Sequence, residues 1–193
     1  FIQGDILDKQ FIKKQIKDAD IVHHLAGITN VAYVKTESNS EQDELIKDTA
    51  INGTQNILDF AKKDCKIIFP STHVVFEGLK ETRRNLTEED KTETFLSYSS
   101  SKVVNEEQIK KSGLKYIILR LASVYGYSTD TMRINIMPNL FSKIASQNGK
   151  IKLFSGGKQI KSLSPLLDVA RCFKFMERND RVESGIYNVA KDS

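Results

Sequence analysis

The stretch Leu114-Lys-Tyr-Ile-Ile-Leu-Arg-Leu-Ala122 decides the fold class, because it is a nearly continuous apolar run. Such a run is typical of a parallel β-strand that helices cover on both faces. Two further strand patterns precede it, at Lys66–Thr72 and Asp20–Gly27, and helical patterns lie at Asp8–Lys17, Ser40–Asp64 and Ser99–Ser112. Strands that alternate with helices predict a doubly wound α/β sheet with a parallel core.

The helices have recognisable ends and faces. Ser40-Glu-Gln-Asp is a capping-box pattern that opens the longest helix, and Gly113 follows the Ser99–Ser112 helix in the position that ends helices. In that second helix an acid stands four residues before a base twice, in the pairs Glu106–Lys110 and Glu107–Lys111. The inner face of the longest helix is predicted to be Ile46, Ala50, Gly53, Ile57 and Ala61, with Gly53 permitting close packing.

Beyond Gly126 the pattern changes. A helix is predicted at 134–146, a short strand at Lys150–Phe154, a turn at Gly156-Gly157, a helix at Asp168–Met176 and a last strand at Ile186–Val189. We expect residues 1–126 to form the main sheet domain. Residues 127–193 are expected to form a smaller substrate-binding lobe with elements that return to the sheet.

Composition excludes several function classes. The net charge is only +4, and the lysines are interspersed with acids, which disfavours a nucleic-acid partner. No apolar run has membrane-spanning length, and two cysteines without paired spacing fit a reduced, cytoplasmic protein. Adjacent strand residues face opposite sides, so His23 and His24 are interpreted as strand residues, and no metal site is expected.

The candidate catalytic pair lies at Tyr98-Ser-Ser-Ser-Lys102, at the start of a predicted helix. Residues four apart project from one helix face, so the phenol and the ammonium should be neighbours. A nearby ammonium favours the phenolate, which predicts a Tyr98 pKa lowered toward neutrality and a usable general acid or base. In doubly wound sheets sites form at the carboxyl ends of strands, which here carry Ala26-Gly27, Ser71-Thr72 and Ser123.

Taken together, the order and spacing of these motifs resemble the extended short-chain dehydrogenase/reductase family, specifically its NAD-dependent epimerase/dehydratase branch. The matching stretches span nearly the whole chain: Gly4-Asp-Ile6, Val22-His-His-Leu-Ala-Gly27, Asn52-Gly-Thr54, Phe69-Pro-Ser-Thr-His-Val-Val-Phe76, Tyr98 with Lys102, and Leu119-Arg120 through Val124-Tyr-Gly126. The resemblance implies a Rossmann-like fold, NAD as cofactor (NADP is not excluded), and a nucleotide-sugar as substrate.

The resemblance also implies roles for single residues. Tyr98 would be the acid/base, Lys102 would lower its pKa and hold the nicotinamide ribose, and Thr72 would hydrogen-bond the reacting oxygen. Cofactor contacts would come from Asp5, Ile6, Leu25, Ala26 and Gly27, together with Tyr98 and Lys102. Substrate contacts would come from Ser71, Thr72, Ser123 and Lys161, the last near a phosphate of the nucleotide-sugar. The helices around Ser40–Asp64 and Tyr98–Ser112 would pair in a homodimer.

Departures from the family pattern matter. The glycine-rich turn of the first βαβ unit does not occur in these residues, and the chain opens at Phe1 in what resembles a strand end, so we expect the fold to be N-terminally incomplete and, as given, a poor dinucleotide binder. Ala50 and Ser123 stand where many sugar enzymes of the family have asparagine. His73 and Val74 stand where 4,6-dehydratases have Asp-Glu, which disfavours dehydration.

Three hypotheses remain. The first is a nucleotide-sugar epimerase that removes and returns a hydride. The second is an NAD(P)-dependent reductase or dehydrogenase of a sugar or another ketone, which uses the same three residues. The third is a non-catalytic, cofactor-binding relative, since a fold alone does not give a function.

Overall fold

A four-stranded parallel sheet organises the chain. The structure is a computed structural model that describes residues 1–29, 40–129 and 132–191. The strands are β1 Ile21–His23, β2 Lys66–Thr72, β3 Lys115–Leu121, β4 Ser123–Tyr125, β5 Leu163–Pro165 and β6 Gly185–Val189. The order of the strands in the four-stranded sheet is β1-β2-β3-β6. The helices are α1 Lys9–Ile16, α2 Ser40–Phe60, α3 Ser97–Lys111, α4 Met137–Ser146 and α5 Leu166–Arg178, with 3-10 turns at His73–Phe76 and Phe154–Gly157.

Strand β2 runs through the middle of the sheet and has the bounds that the sequence predicts. It pairs with β3 along its whole length, from Lys66 opposite Lys115 to Thr72 opposite Leu121. On its other side Ile21 of β1 lies opposite Lys66. The predicted parallel α/β sheet is therefore confirmed, and strand β6 lies in it beside β3. The division into domains at residue 126 stays a prediction.

Apolar side chains cover both faces of the sheet, as the continuous apolar strands predict. Ile67 and Phe69 of β2 face α1, α2 and α3, where they meet Ile12, Ile57 and Ile109. Ile68, Ile117 and Leu119 face the other side and pack against Cys172, Phe173 and Met176 of α5. Both cysteines are free thiols. Successive side chains of β2 point to opposite faces of the sheet, and both faces are covered. A strand without alternating polar residues is therefore stable here.

Several predicted helix features are confirmed. Gly113 adopts a φ of +76°, the left-handed conformation that ends α3. A Cβ on Gly53 would lie 2.9 Å from Cγ2 of Ile6, so the glycine does permit close packing. Helix α2 ends at Phe60 rather than at Asp64, so Ala61 follows it, while Ile46, Gly53 and Ile57 of its predicted inner face are buried and Ala50 is half-buried. The predicted cap at Ser40 lies outside the described side chains.

Two predictions about α3 and its neighbourhood are wrong in detail. Glu106 does not pair with Lys110, because it is buried against Arg120. Glu107 binds Lys110 at 2.7 Å, three residues on, in an exposed pair.

The predicted strand at Lys150–Phe154 is also wrong. Ile151 and Leu153 are exposed there, and a 3-10 turn begins at Phe154. The second small sheet is instead formed by β4 and β5, with Ser123 opposite Leu163. A strand needs a neighbouring strand with which to form backbone hydrogen bonds, and the sequence of this segment does not provide one. Within the described ranges, no helix combines the length and the apolar character that crossing a membrane requires.

Candidate functional site

A cleft of about 630 Å³ opens at the carboxyl ends of β1, β2 and β3. This is the edge where a doubly wound sheet places its site. Most of the residues singled out in the sequence line it, namely Leu25, Ala26, Gly27, Ser71, Thr72, Tyr98, Lys102, Ser123 and Lys161. Residues from five separate stretches of the chain are thus brought to one cavity.

Asp5 and Ile6 do not line this cleft. The Asp5 side chain accepts a hydrogen bond from the backbone N–H of Leu7 at 2.9 Å, which stabilises the turn before α1. Ile6 packs under Gly53 and lines a smaller cavity of about 180 Å³. That cavity shares Leu25 and Ala26 with the main cleft. The adenine contacts assigned to Asp5 and Ile6 stay a prediction.

Ser71 and Thr72 are neighbours with different environments. Ser71 is 3% exposed, and its hydroxyl donates to Oε1 of Glu106 at 2.5 Å. The Ser71 hydroxyl thus already donates its proton to a protein group, which weakens the prediction that Ser71 contacts the substrate. Thr72 ends β2, and its Oγ1 accepts a hydrogen bond from the N–H of Val74 at 3.2 Å, so the threonine caps the 3-10 turn that follows.

Tyr98 is held by an unexpected helix cap. Helix α3 starts after Leu96, which has no capping side chain of its own. The Glu77 carboxylate supplies the cap, accepting from the backbone N–H groups of Phe95 at 3.0 Å and Leu96 at 2.6 Å and from the Ser99 hydroxyl. A carboxylate at a helix N-terminus is favourable for both the free N–H groups and the helix dipole. Glu77 thereby fixes the turn that carries the phenol.

The predicted lowering of the Tyr98 pKa is not what the structure shows. Burial raises the pKa of Tyr98 above its usual value, and the neighbouring Thr72 hydroxyl and the Arg133 guanidinium act in the opposite direction without outweighing it. Lys102 is not the neighbour that acts on the phenol here. Its Nζ lies 5.9 Å from the centre of the Tyr98 ring. The phenol is therefore protonated and ready to donate in this state of the site.

Lys102 reaches the end of β2 instead. Its Nζ donates to the carbonyl oxygen of Pro70 at 2.8 Å and lies 4.2 Å from the centre of the Phe69 ring. Burial lowers the pKa of Lys102 to about 8, although Glu106 acts to raise it. The side chain is thus a cation near neutral pH that titrates within reach of physiological conditions.

Sequence reasoning missed a buried ion pair under the site. Arg120 and Glu106 are 4% and 3% exposed, and two nitrogens of the guanidinium contact the two carboxylate oxygens at 3.1 and 2.8 Å. The sequence offered one signal, an arginine inside the otherwise apolar β3 run, since a buried strand arginine requires a partner.

His23 and His24 do face opposite sides of the sheet, as predicted. His23 Nε2 lies 3.2 Å from Glu177 of α5. His24 Nε2 lies 2.8 Å from the Thr54 hydroxyl of α2, and burial, with a smaller contribution from Lys102, lowers the pKa of His24 to about 3. The other ring nitrogen of His24 is buried without a hydrogen-bond partner among the described residues.

The charge of the cleft has one sign. Three cationic side chains line it, those of Lys102, Arg133 and Lys161, and its described lining contains no carboxylate. Arg133 reaches across to the carbonyl oxygen of Thr29 at 3.3 Å. His73 also lines the cleft, with Nδ1 at 3.0 Å from the carbonyl oxygen of Leu121. A cleft lined in this way favours anionic ligands.

Comparisons with known proteins identify the family of the chain. The model of the NAD dependent epimerase/dehydratase family matches residues 1–190. A putative UDP-glucose 4-epimerase of Methanocaldococcus jannaschii is 30% identical over 178 residues, which cover 89% of this chain and 56% of the relative. A probable low-salt glycan biosynthesis reductase of Haloferax volcanii is 26% identical over 193 residues, covering 99% of this chain and 61% of the relative.

Solved structures show the same fold. The crystal structure of UDP-glucuronic acid 4-epimerase from Bacillus cereus, in complex with UDP-glucuronic acid and NAD, matches with a TM-score of 0.82 at 23% identity, over 100% of this chain and 60% of that chain. The chain thus spans little more than half the length of the relatives that it matches. Because the family model accounts for almost all of its residues, the chain belongs to the NAD dependent epimerase/dehydratase family.

Proposed function

We propose that the full-length protein is an NAD-dependent nucleotide-sugar epimerase that acts by transient hydride removal. The observation that carries the proposal is the convergence of Thr72, Tyr98 and Lys102 on one cleft at the carboxyl edge of the sheet. A hydroxyl, a phenol and an ammonium are the groups needed to orient an alcohol, exchange its proton and favour the charge that develops.

The residues present fit the nicotinamide half of the cofactor. Leu25, Ala26 and Gly27 line the same cleft as Lys102, with no described carboxylate to repel phosphates. His24, which precedes this segment, lines the smaller cavity that shares Leu25 and Ala26 with the cleft, and its Nδ1 is buried without a hydrogen-bond partner among the described residues. Leu25–Gly27 and Lys102 are therefore the residues proposed to hold NAD. The name of the family and the relative crystallised with NAD support NAD as the cofactor.

Each residue has one task in the proposed reaction. Thr72 hydrogen-bonds the substrate oxygen, and Tyr98 takes the proton of that hydroxyl and later returns it. NAD, when bound, would supply the hydride acceptor and a positive charge, and a positive charge favours the phenolate against the effect of burial on the Tyr98 pKa. Lys102 would hold the cofactor.

The groups after Thr72 support epimerisation over dehydration. Val74 carries no titratable proton. Burial lowers the pKa of the His73 imidazole, and the Lys161 cation acts in the same direction. A neutral imidazole and a valine replace the two carboxyl groups that the resemblance associates with 4,6-dehydration, so elimination of water lacks a carboxylic acid to protonate the leaving hydroxyl.

The cationic lining indicates the chemical class of the substrate. Lys161 and Arg133 both line the cleft. A nucleoside diphosphate group supplies the complementary charge, and a lysine binds it as a point charge. Ser123 lines the cleft as well and is proposed to contact the sugar.

A net reductase is the second candidate. Ala50 and Ser123, the two departures from the asparagines of sugar enzymes, both line the cleft and change its hydrogen-bonding capacity. One curated relative is itself named a reductase. The same three catalytic residues would serve, with the cofactor exchanged in each cycle.

The homodimer is a further part of the proposal. Helices α2 and α3 pack on each other, with the Asn105 amide donating to the carbonyl oxygen of Ala50 at 3.0 Å. Leu45 and Val104 on these helices remain exposed. Light scattering on the full-length protein, with Leu45→Glu as the disrupting variant, tests whether this face joins two copies.

The decisive experiment offers the full-length protein a panel of nucleotide-sugars, including UDP-glucose and UDP-glucuronic acid. Proton NMR of the products and nicotinamide absorbance are followed together. The proposal predicts an epimerised sugar without net change in absorbance. A stoichiometric change in absorbance would favour the reductase, and bound NAD without any turnover would favour the non-catalytic relative.

A further inference from the structure

The buried pair of Glu106 and Arg120 lies between helix α3 and strand β3, directly below the proposed catalytic residues. Both side chains are almost fully buried, and the guanidinium holds both carboxylate oxygens. The third guanidinium nitrogen donates to the carbonyl oxygen of Glu88 at 3.2 Å. A buried ion pair persists only when its remaining hydrogen-bonding capacity is met, as it is here.

The carboxylate of Glu106 extends this network into the site. Oε1 accepts the hydroxyl proton of Ser71 at 2.5 Å. Ser71 immediately precedes Thr72 at the end of β2, and the backbone of this strand end also carries the carbonyl oxygen that holds Lys102. The Ser71–Glu106 hydrogen bond therefore joins the end of β2 to α3, beside the hydrogen bond from Lys102 to Pro70.

Glu106 also faces the charge of Lys102. It follows Lys102 by four residues on α3, so the two side chains share a helix face. Among the described residues, the other groups around the ammonium are uncharged: the neutral His24 directly after β1, the Tyr98 phenol on α3, and the Pro70 carbonyl and Phe69 ring on β2. In this part of the chain Glu106 is the charged group that acts on the Lys102 pKa, and it raises the value against the effect of burial.

We propose that Glu106 is a positioning residue of the site, which anchors the Ser71–Thr72 end of β2 and sets the charge environment of the buried Lys102 side chain. Arg120 serves it by holding both carboxylate oxygens in a buried place. This inference rests on the roles proposed for Thr72 and Lys102.

The test titrates Lys102 directly in protein labelled with ¹³C-lysine, with Lys102→Met identifying its resonance. It needs no turnover, so it is readable whether or not the protein is an epimerase. Glu106→Gln leaves Arg120 buried without a partner, so the double variant Glu106→Gln/Arg120→Met is measured beside it because it leaves no unpaired buried charge. We expect the Lys102 midpoint to fall below the wild-type value of about 8 in both variants.

Two controls separate this role from a general loosening of the fold. Arg120→Met keeps the carboxylate and should leave the Lys102 midpoint at or above that of the wild type. Loosening exposes the ammonium to water and moves its midpoint upward, toward 10.5, which is the opposite direction. Amide hydrogen exchange at Thr72 and His73 should accelerate in Ser71→Ala and in the double variant. An unchanged or raised Lys102 midpoint in the folded double variant, or unchanged exchange in both, would overturn the proposal.

Discussion

The side-chain nitrogen of Lys102 donates a hydrogen bond to the carbonyl oxygen of Pro70 over 2.8 Å, and this contact places a buried cation on the strand that ends in Thr72. The contact connects helix α3 to strand β2 without involving Tyr98. It also explains why the lysine is held away from the phenol, with its ammonium over the Phe69 ring. Burying this charge lowers the free energy of unfolding by a measurable amount.

The first prediction concerns stability at alkaline pH. The pKa of Lys102 is lowered by burial from 10.5 to about 8, so between these values the unfolded chain binds more protons than the folded chain. Stability attributable to Lys102 therefore rises with pH across that window, by about 3 kcal/mol. Urea unfolding of the wild type and Lys102→Met should show curves that separate at neutral pH and converge at alkaline pH. Parallel curves would contradict the assignment.

The second prediction concerns acid. The pKa of His24 is lowered from 6.5 to about 3, chiefly by burial, so the unfolded chain takes up a proton first as the pH falls. The stability contributed by the neutral His24 is complete above 6.5 and is lost progressively down to about 3. We expect a loss of about 2–3 kcal/mol by about pH 4.5. His24→Gln, which does not titrate, should lack this part of the acid slope, and an identical slope in both proteins would count against it.

The third prediction tests the cap of α3. Glu77→Ala removes the carboxylate that accepts from the N–H groups of Phe95 and Leu96 and from the Ser99 hydroxyl. Loss of a cap costs about 1–2 kcal/mol, and a charged acceptor places this case at the upper end. Thermal unfolding measures the change, with the exposed Glu81→Ala as the matched control. Equal melting temperatures for the two variants would show that Glu77 does not cap the helix.

The fourth prediction concerns Gly53. Alanine is the better helix former by roughly 1 kcal/mol, yet a Cβ at Gly53 would lie 2.9 Å from Cγ2 of Ile6. Gly53→Ala should therefore destabilise the protein, and Gly53→Ala with Ile6→Ala should cost less than the sum of the two single changes. Chemical denaturation of the four proteins measures this coupling. Additive effects would show that the contact is not limiting.

The sequence predicted those features that depend on local patterns. The continuous apolar runs identified β2 and β3, and the spacing of Tyr98 and Lys102 placed both on α3. The strand predicted at Lys150–Phe154 failed because alternation says nothing about whether a partner strand is available, and Ile151 and Leu153 remain exposed. The β4–β5 pair joins segments forty residues apart that have little strand character of their own.

The electrostatics of the site were harder to predict. The spacing of the two residues suggested that Lys102 lowers the Tyr98 pKa. Spacing along a helix does not reveal how deeply the phenol is buried, and burial raises its pKa. Glu77, Glu106 and Arg120 act through contacts between distant parts of the chain, such as Glu77 with Ser99. Such contacts depend on which strands and loops pack together, and a single sequence does not determine that packing.

The central claim is that Tyr98 exchanges the substrate proton, and Tyr98→Phe in the full-length protein tests it most directly. Tyr127→Phe is the matched control, because Tyr127 is 79% exposed and does not line the cleft. Native mass spectrometry first establishes that each variant retains NAD, and turnover of the nucleotide-sugar is then compared. The account predicts retained NAD and a loss of turnover of about 10²–10⁴-fold in Tyr98→Phe alone. Turnover in Tyr98→Phe equal to that of Tyr127→Phe would contradict it.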